Sequence, residues 1–234
     1  MNNKILLNTG LFARRGSDVN EAIKKVSEHD VDGIEIGTSF LDVLVNFKLS
    51  QDGFKIIKKY KYLALHAPVN FFYRNDRYTA EVIDKLKQVA SLLDAKYIVF
   101  HTHSIQDFQI FKECKLDCCL ENDRDVHKVN ADQMKKILDE NPNFKFVLDT
   151  AHAMSHSEDE VKNLVKLLKD KIVAVHLSAR VDDMDHIPLH LAQEKLEQLE
   201  PIKALDCPVV LECWHSYQDK VEEEIKFVRK WLDS

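Results

Sequence analysis

Glycine and proline are scarce, at five each in 234 residues. That excludes collagen-like chains and low-complexity linkers, which are built from those residues. A surplus of positive charge is also missing. Lys and Arg number 33 against 39 Asp and Glu, a net charge of −6. No global field recruits nucleic acid or an anionic membrane, although a local basic patch would still suffice for nucleic acid. No apolar run approaches the ~18 residues of a membrane span, so no membrane partner is expected. The opening MNNKILLNTG has a short apolar patch that runs into a turn. It lacks the longer apolar stretch and small-residue cleavage site of a signal peptide. The cysteines, Cys114, Cys118, Cys119, Cys207 and Cys213, are odd in number and form no CxxC pair. Buried thiols in a reducing cytoplasm are expected rather than a disulfide framework. GxGxxG and GxxxxGK[ST] phosphate loops are absent as well: the turn after the first strand reads NTGLFARRG. An open nucleotide-binding sheet usually carries such a loop at that place.

What is present is an alternation. Hydrophobic residues make up 45% of the chain, including 12 Phe, enough for a real core. Short runs rich in Ile, Val, Leu and Phe recur at 4–8, 31–36, 62–66, 97–101, 116–121, 144–149, 172–177 and 208–213. Their near-continuous hydrophobicity suits parallel strands covered on both faces. Helical periodicity fills the gaps. It is clearest over 77–95, where Tyr78, Val82, Leu86, Val89 and Leu93 form one stripe. Further helices are expected over 18–28, 52–60, 131–140, 158–169, 191–202 and 219–232, with a weaker one over 105–114. Ser17 with Asp18, and Ser157, stand where N-caps belong. Asn141, Pro142 and Asn143 mark a helix stop. Eight strand–helix units with right-handed crossovers predict an α/β fold, a single (β/α)8 barrel of eight parallel strands spanning residues 1–234 as one domain.

The strand ends carry the chemistry. Glu35 closes the second strand, His66 the third and His101 the fourth, with His103 just beyond. Glu121 closes the fifth. Asp149 closes the sixth, with His152 three residues on. The seventh carries His176, with His186 and His190 following, and the eighth carries Glu212, with His215 following. In a parallel barrel these ends meet on one rim, where barrel enzymes keep their active sites. Carboxylates crowded without partners raise one another's pKa, and a divalent cation removes that penalty. Carboxylate and imidazole are ligands of Zn, Mn, Fe, Co and Mg. Glu121, Asp149, His176 and Glu212, the most buried by strand position, are therefore the candidate metal ligands.

The segments LHAPVNF, IVFHTHS, LEN, LDTAHA, VHLS followed by DHIPL, and VVLEC resemble, in order, the xylose isomerase-like TIM barrel superfamily. It includes sugar-phosphate isomerases, epimerases and endonuclease IV. The resemblance covers about residues 31–232. It implies that Glu121, Asp149, His176 and Glu212 hold a divalent metal (Zn, Mn, Mg, Co or Fe), with Glu121 and Glu212 also the catalytic proton-transferring pair. It implies that His66, His101, His152 and His186 serve additional metals or the substrate. The endonuclease branch would need an Asp where this chain has Met184, between Asp183 and Asp185, so its third metal set is incomplete.

Three readings follow. The first is a metal-dependent isomerase or epimerase acting on a small sugar or sugar phosphate. Glu35, Arg180 and Trp214 are then candidate substrate contacts, with Arg14, Arg15 or Arg180 offered to a phosphate. The second is an apurinic/apyrimidinic endonuclease, a metal-dependent phosphodiesterase with nucleic acid as partner and NFFYRNDRY (70–78) as a DNA-facing loop. Phe71 and Phe72 fit a pocket wall or barrel cap better. The third is a barrel that binds metal or ligand without turnover. His29, His127 and His156 are expected to be solvated, and Trp231 to pack.

Overall fold

A computed structural model describes residues 4–13, 18–112 and 117–234. Arg14, Arg15, Ser17 and Cys114 lie outside them. Eight parallel strands close a barrel: β1 (Ile5–Asn8), β2 (Gly33–Gly37), β3 (Tyr62–His66), β4 (Ile98–His101), β5 (Cys118–Glu121), β6 (Lys145–Asp149), β7 (Ile172–Leu177) and β10 (Val209–Leu211), which pairs back to β1. This is the (β/α)8 TIM barrel that the alternation predicts. Every expected strand is present within two residues at either end.

Two apolar layers fill the space. A large one lies between the strands and the surrounding helices. A small one, Ala64, Tyr97, Val99, Cys119, Val147 and Ala174, plugs the barrel interior. Side chains alternate along a strand with period two. The inward residues one step further on from Ala64, Val99, Cys119, Val147 and Ala174 are therefore His66, His101, Glu121, Asp149 and His176. The strand period itself lifts the polar set onto an apolar floor at the C-terminal rim.

The helices are α1 (Val19–Val26), α2 (Leu41–Val45), α3 (Gln51–Ile57), α4 (Arg77–Leu93), α5 (Ala131–Glu140), α6 (Thr150–His156), α7 (Glu160–Leu168), α8 (Leu196–Leu199) and α9 (Val221–Leu232). Asp18 caps α1 through Asn20 N–H, and Asn130 with Gln133 forms a full capping box on α5. Four expectations are corrected. Ser157 does not cap α7; it ends the unexpected α6, and α7 begins at Glu160 behind Asp159. The helix over 191–202 is broken into 3₁₀ turns around the single turn of α8, because Pro201 cannot donate to a continuing ladder. Over the described part of the weak helix, residues 105–112, the chain forms a 3₁₀ turn, Phe108–Phe111, in place of an α-helix. Residues 179–187 form an antiparallel hairpin, β8 (Ala179–Val181) and β9 (Met184–Ile187), instead of a plain loop. No helix among the described residues is long and apolar enough to cross a membrane.

Candidate metal centre

Each polar strand end is locked by its backbone surroundings. Asn122 joins β5 to β6 reciprocally, its Nδ2 donating to Asp149 O and its Oδ1 accepting from Asp149 N, both at 2.8 Å. Asp149 also caps α6, its Oδ1 accepting from His152 N at 2.7 Å. Thr150 Oγ1 donates to Ser178 O at 2.6 Å and ties β6 to the end of β7. His186 sits at φ 53°, a left-handed conformation that costs a non-glycine residue about 1–3 kcal/mol. Its Nδ1 lies 3.1 Å from Glu212 O.

The ligand atoms of Glu121, Asp149, His176 and Glu212 lie within 4.8 Å of one another. Four further sets meet the same limit: His66, His101 and Glu121; Asp149, His152 and His186; Glu35, His66 and His176; and His101, His103 and Asp123. Glu121 is the hub. His66 Nε2 is 3.2 Å from its Oε2 and His101 Nε2 3.3 Å; His152 Nδ1 is 3.3 Å from its Oε1 and His176 Nδ1 3.6 Å.

The donor set fits a cation. Among the described residues six buried side-chain polar atoms have no hydrogen-bond partner, and three of them, Asp149 Oδ2, His176 Nδ1 and Glu212 Oε2, belong to the predicted four. His176 Nδ1 approaches Glu212 Oε2 to 2.7 Å without hydrogen-bond alignment, as two ligands of one ion do. The outer nitrogens are engaged elsewhere: His66 Nδ1 with Ala67 O at 3.0 Å, His101 Nδ1 with Asp123 at 3.1 Å, and His176 Nε2 with Glu35 at 3.1 Å. Such outer partners fix the tautomer and turn the other nitrogen toward a metal.

Charges are redistributed accordingly. Burial works against protonation of His66, but the hydrogen bond and charge of Glu121 raise it to about 9. Against the same penalty, Asp149 and Glu121 raise His152 to about 10. His176 is held well above its usual range against burial by Glu35, Glu212 and Glu121. Burial would raise Glu212, yet His176 draws it down to about 2. Glu121 is lowered too, against burial, by His101 and His176, whereas burial raises Asp149. Protons on the imidazoles thus do for the carboxylates what a divalent ion would do instead.

Above the cluster opens a pocket of about 570 Å³. Its floor includes His66, His101, Glu121, His152, His186 and Glu212; Leu11, Phe40, Val69 and Trp214 wall it, with Asn8, Arg124, Asp185 and His215. Trp214, 55% exposed, thus lies where a pocket cover is expected. Glu35 and Arg180 do not line the pocket. Glu35 is fully buried behind His176, where it also takes Asn8 Nδ2 at 2.9 Å. Arg180 is bound into ion pairs with Asp183 and Asp185. His190 is pinned to Glu224, and His103 pairs with Asp123. His29 and His156 are not solvated as expected: His29 contacts Glu222, and His156 Nε2 meets Asp123 O at 3.0 Å. His127 is exposed, stacked on His103. Phe71 is buried against Tyr73 while Phe72 is exposed. Trp231 packs as expected. Sequence reasoning misses Asn8 and Arg124. Asn8 ends the first strand as the other polar residues end theirs, and that signal could have found it; Arg124 sits in a loop with no periodic signal.

A closed parallel barrel with His and carboxylates gathered at the C-terminal strand ends defines a class of TIM barrels with a metal-competent rim. Residues 23–232 match the family model described as xylose isomerase-like TIM barrel, and the chain belongs to that family. No curated protein matches the sequence. Solved structures match in fold. A D-tagatose 3-epimerase-like protein aligns at TM-score 0.67 and 18% identity, over 98% of this chain and 97% of that one. The probable 3-DHS dehydratase AsbF from Bacillus anthracis aligns at TM-score 0.70 and 16% identity, over 96% and 98%. Endonuclease IV from Thermus thermophilus aligns at TM-score 0.68 and 13% identity, over 98% and 99%. At such identities the likeness concerns the fold, and these neighbours are enzymes of several kinds.

Proposed function

We propose that the protein is a divalent-metal-dependent isomerase or epimerase of a small sugar or sugar phosphate. The observation that supports this most is the convergence of Glu121, Asp149, His176 and Glu212, three of them with unpartnered buried atoms, beneath a pocket sized for a small molecule that Glu121 and Glu212 line. These four residues would hold the ion. When bound, a divalent ion polarises a carbonyl and acidifies the neighbouring C–H. Glu212 is the more accessible of the two lining glutamates: its side chain is 23% exposed, against 1% for Glu121. Asn8 Nδ2 holds its Oε1 at 3.2 Å, which fixes the oxygen that would accept a proton. Glu121, which also lines the pocket, is the partner acid/base. His66, His101 and His152 line the pocket where substrate hydroxyls would sit, and Trp214 and Phe40 wall it.

The test is proton exchange. Metal-reconstituted protein in deuterated water should exchange the α-proton of a ketose or ketose phosphate. Glu121→Gln and Glu212→Gln should each remove the exchange. Absence of exchange across neutral and phosphorylated ketoses, with metal bound, refutes the reading.

One observation supports a second reading. His66, His101 and Glu121, and Asp149, His152 and His186, flank the central four as further ligand sets, as an endonuclease IV-like phosphodiesterase would need. Nicking of an abasic-site oligonucleotide, lost in Glu121→Gln, would establish it. Little cation faces the pocket for a DNA strand: among the described lining residues Arg124 is the one Arg or Lys.

A further inference from the structure

The hairpin β8–β9 holds a carboxylate between two guanidinium groups at the pocket edge. Asp185 is 4% exposed. Its Oδ1 contacts Arg180 Nη1, and its Oδ2 faces Arg124 Nε at 3.0 Å. Arg180 also donates to Asp183 at 3.3 Å, an exposed pair of the kind that contributes little. One buried carboxylate thus stands between two guanidinium groups.

One of the two guanidinium groups faces the pocket. Arg124 lines it and Arg180 does not. Asp185 is already engaged by Arg180. Arg124 Nε, though buried, is out of alignment with Asp185 and has no hydrogen-bond partner. The side chain remains 43% exposed. A guanidinium placed by a buried carboxylate, with donor capacity to spare, matches an oxyanion in shape and charge.

We propose that Arg124 is an anion-recognition subsite of the pocket wall, so that the substrate carries an oxyanion group, phosphate or carboxylate, away from the end that meets the carboxylate and imidazole floor. This rests on the proposed function only in taking the pocket as the substrate site. It moves the phosphate contact from Arg180, which the sequence suggests, to Arg124.

The experiment titrates inorganic phosphate, and separately acetate, into wild type, Arg124→Gln and Arg124→Lys by calorimetry. Each is measured both chelator-stripped and metal-reconstituted. In stripped protein no ion can bind the anion in place of Arg124. Arg124→Gln should weaken at least one anion about tenfold or more in both metal states, with Arg124→Lys between, since a charged hydrogen bond is lost. The arm with the larger loss identifies the group. Metal affinity should be equal in all three proteins. Equal anion affinity in wild type and Arg124→Gln, or no binding of either anion to wild type, overturns the proposal. If no metal binds but phosphate binding depends on Arg124, the subsite stands and the metal-dependent reading falls.

Discussion

Glu35→Gln is a near-isosteric change of one buried atom, and the structure fixes what it does. Glu35 Oε1 accepts from Asn8 Nδ2 at 2.9 Å; Oε2 accepts from His176 Nε2 at 3.1 Å and from Tyr97 Oη at 3.4 Å. A glutamine places an NH₂ at one of these positions. Facing Asn8 it meets another donor, and Asn8 cannot flip freely because its Oδ1 accepts from Gly10 N at 2.7 Å. Facing His176 it forces the imidazole proton from Nε2 to Nδ1, which removes the Nδ1 lone pair that would bind the metal. Either way a buried donor clash costs about 1–3 kcal/mol, and outer partners of metal-bound histidines are worth about 10–100-fold in metal affinity. The expected result is a metal dissociation constant raised about 10–100-fold, or about 1.4–2.7 kcal/mol. Competition against a chelator of known affinity reads it, with circular dichroism confirming the fold. An affinity within twofold of wild type would refute the claim that Glu35 orients His176 for a metal.

Three further outcomes are expected. Asp149→Asn keeps an N-cap for α6, because Asn caps about as well as Asp, but removes the unpartnered Oδ2 as an anionic ligand; metal binding should fall sharply while helix content holds, and retained metal affinity would count against Asp149 as a ligand. In metal-free protein His66 and His152 are raised to about 9 and about 10, above an unfolded value of ~6.5. Their stabilisation is full below ~6.5 and is lost as pH rises through these values. Melting temperature should therefore fall on alkaline titration of stripped protein and fall less with metal bound; a flat or rising profile contradicts the charge assignment. Glu224, buried on α9, accepts from Leu189 N at 2.7 Å, His190 N at 3.0 Å and His190 Nδ1 at 2.6 Å. Glu224→Ala orphans these donors, and urea unfolding should show a loss of about 3 kcal/mol or more; a loss under ~1 kcal/mol would show that the 188–191 turn finds other partners.

The barrel is legible because buried parallel strands write themselves as apolar runs, and the polar floor because His, Asp and Glu interrupt those runs at a fixed end. His66, His101, Glu121, Asp149 and His176 need only the strand period to be placed together. What escapes lies where no period operates. The helix α6 hangs on Asp149 as its cap, and TAHAMSH carries no apolar stripe. The β8–β9 hairpin is too short to alternate visibly. Arg124 and Asp185, distant in the chain, meet through an ion pair, which no local pattern encodes. Glu35 reads as a substrate contact because it lies near a strand end like the others. In the fold its carboxylate is spent on His176, Asn8 and Tyr97 instead.

The central claim is that four strand-end residues form a metal cradle. A crystal of metal-reconstituted protein, measured at the absorption edge of the added ion, tests it most directly. The account predicts an anomalous peak contacted by Glu121, Asp149, His176 and Glu212, absent in Asp149→Ala. A reconstituted crystal with no peak among these four side chains, or with its ion bound elsewhere, would contradict it.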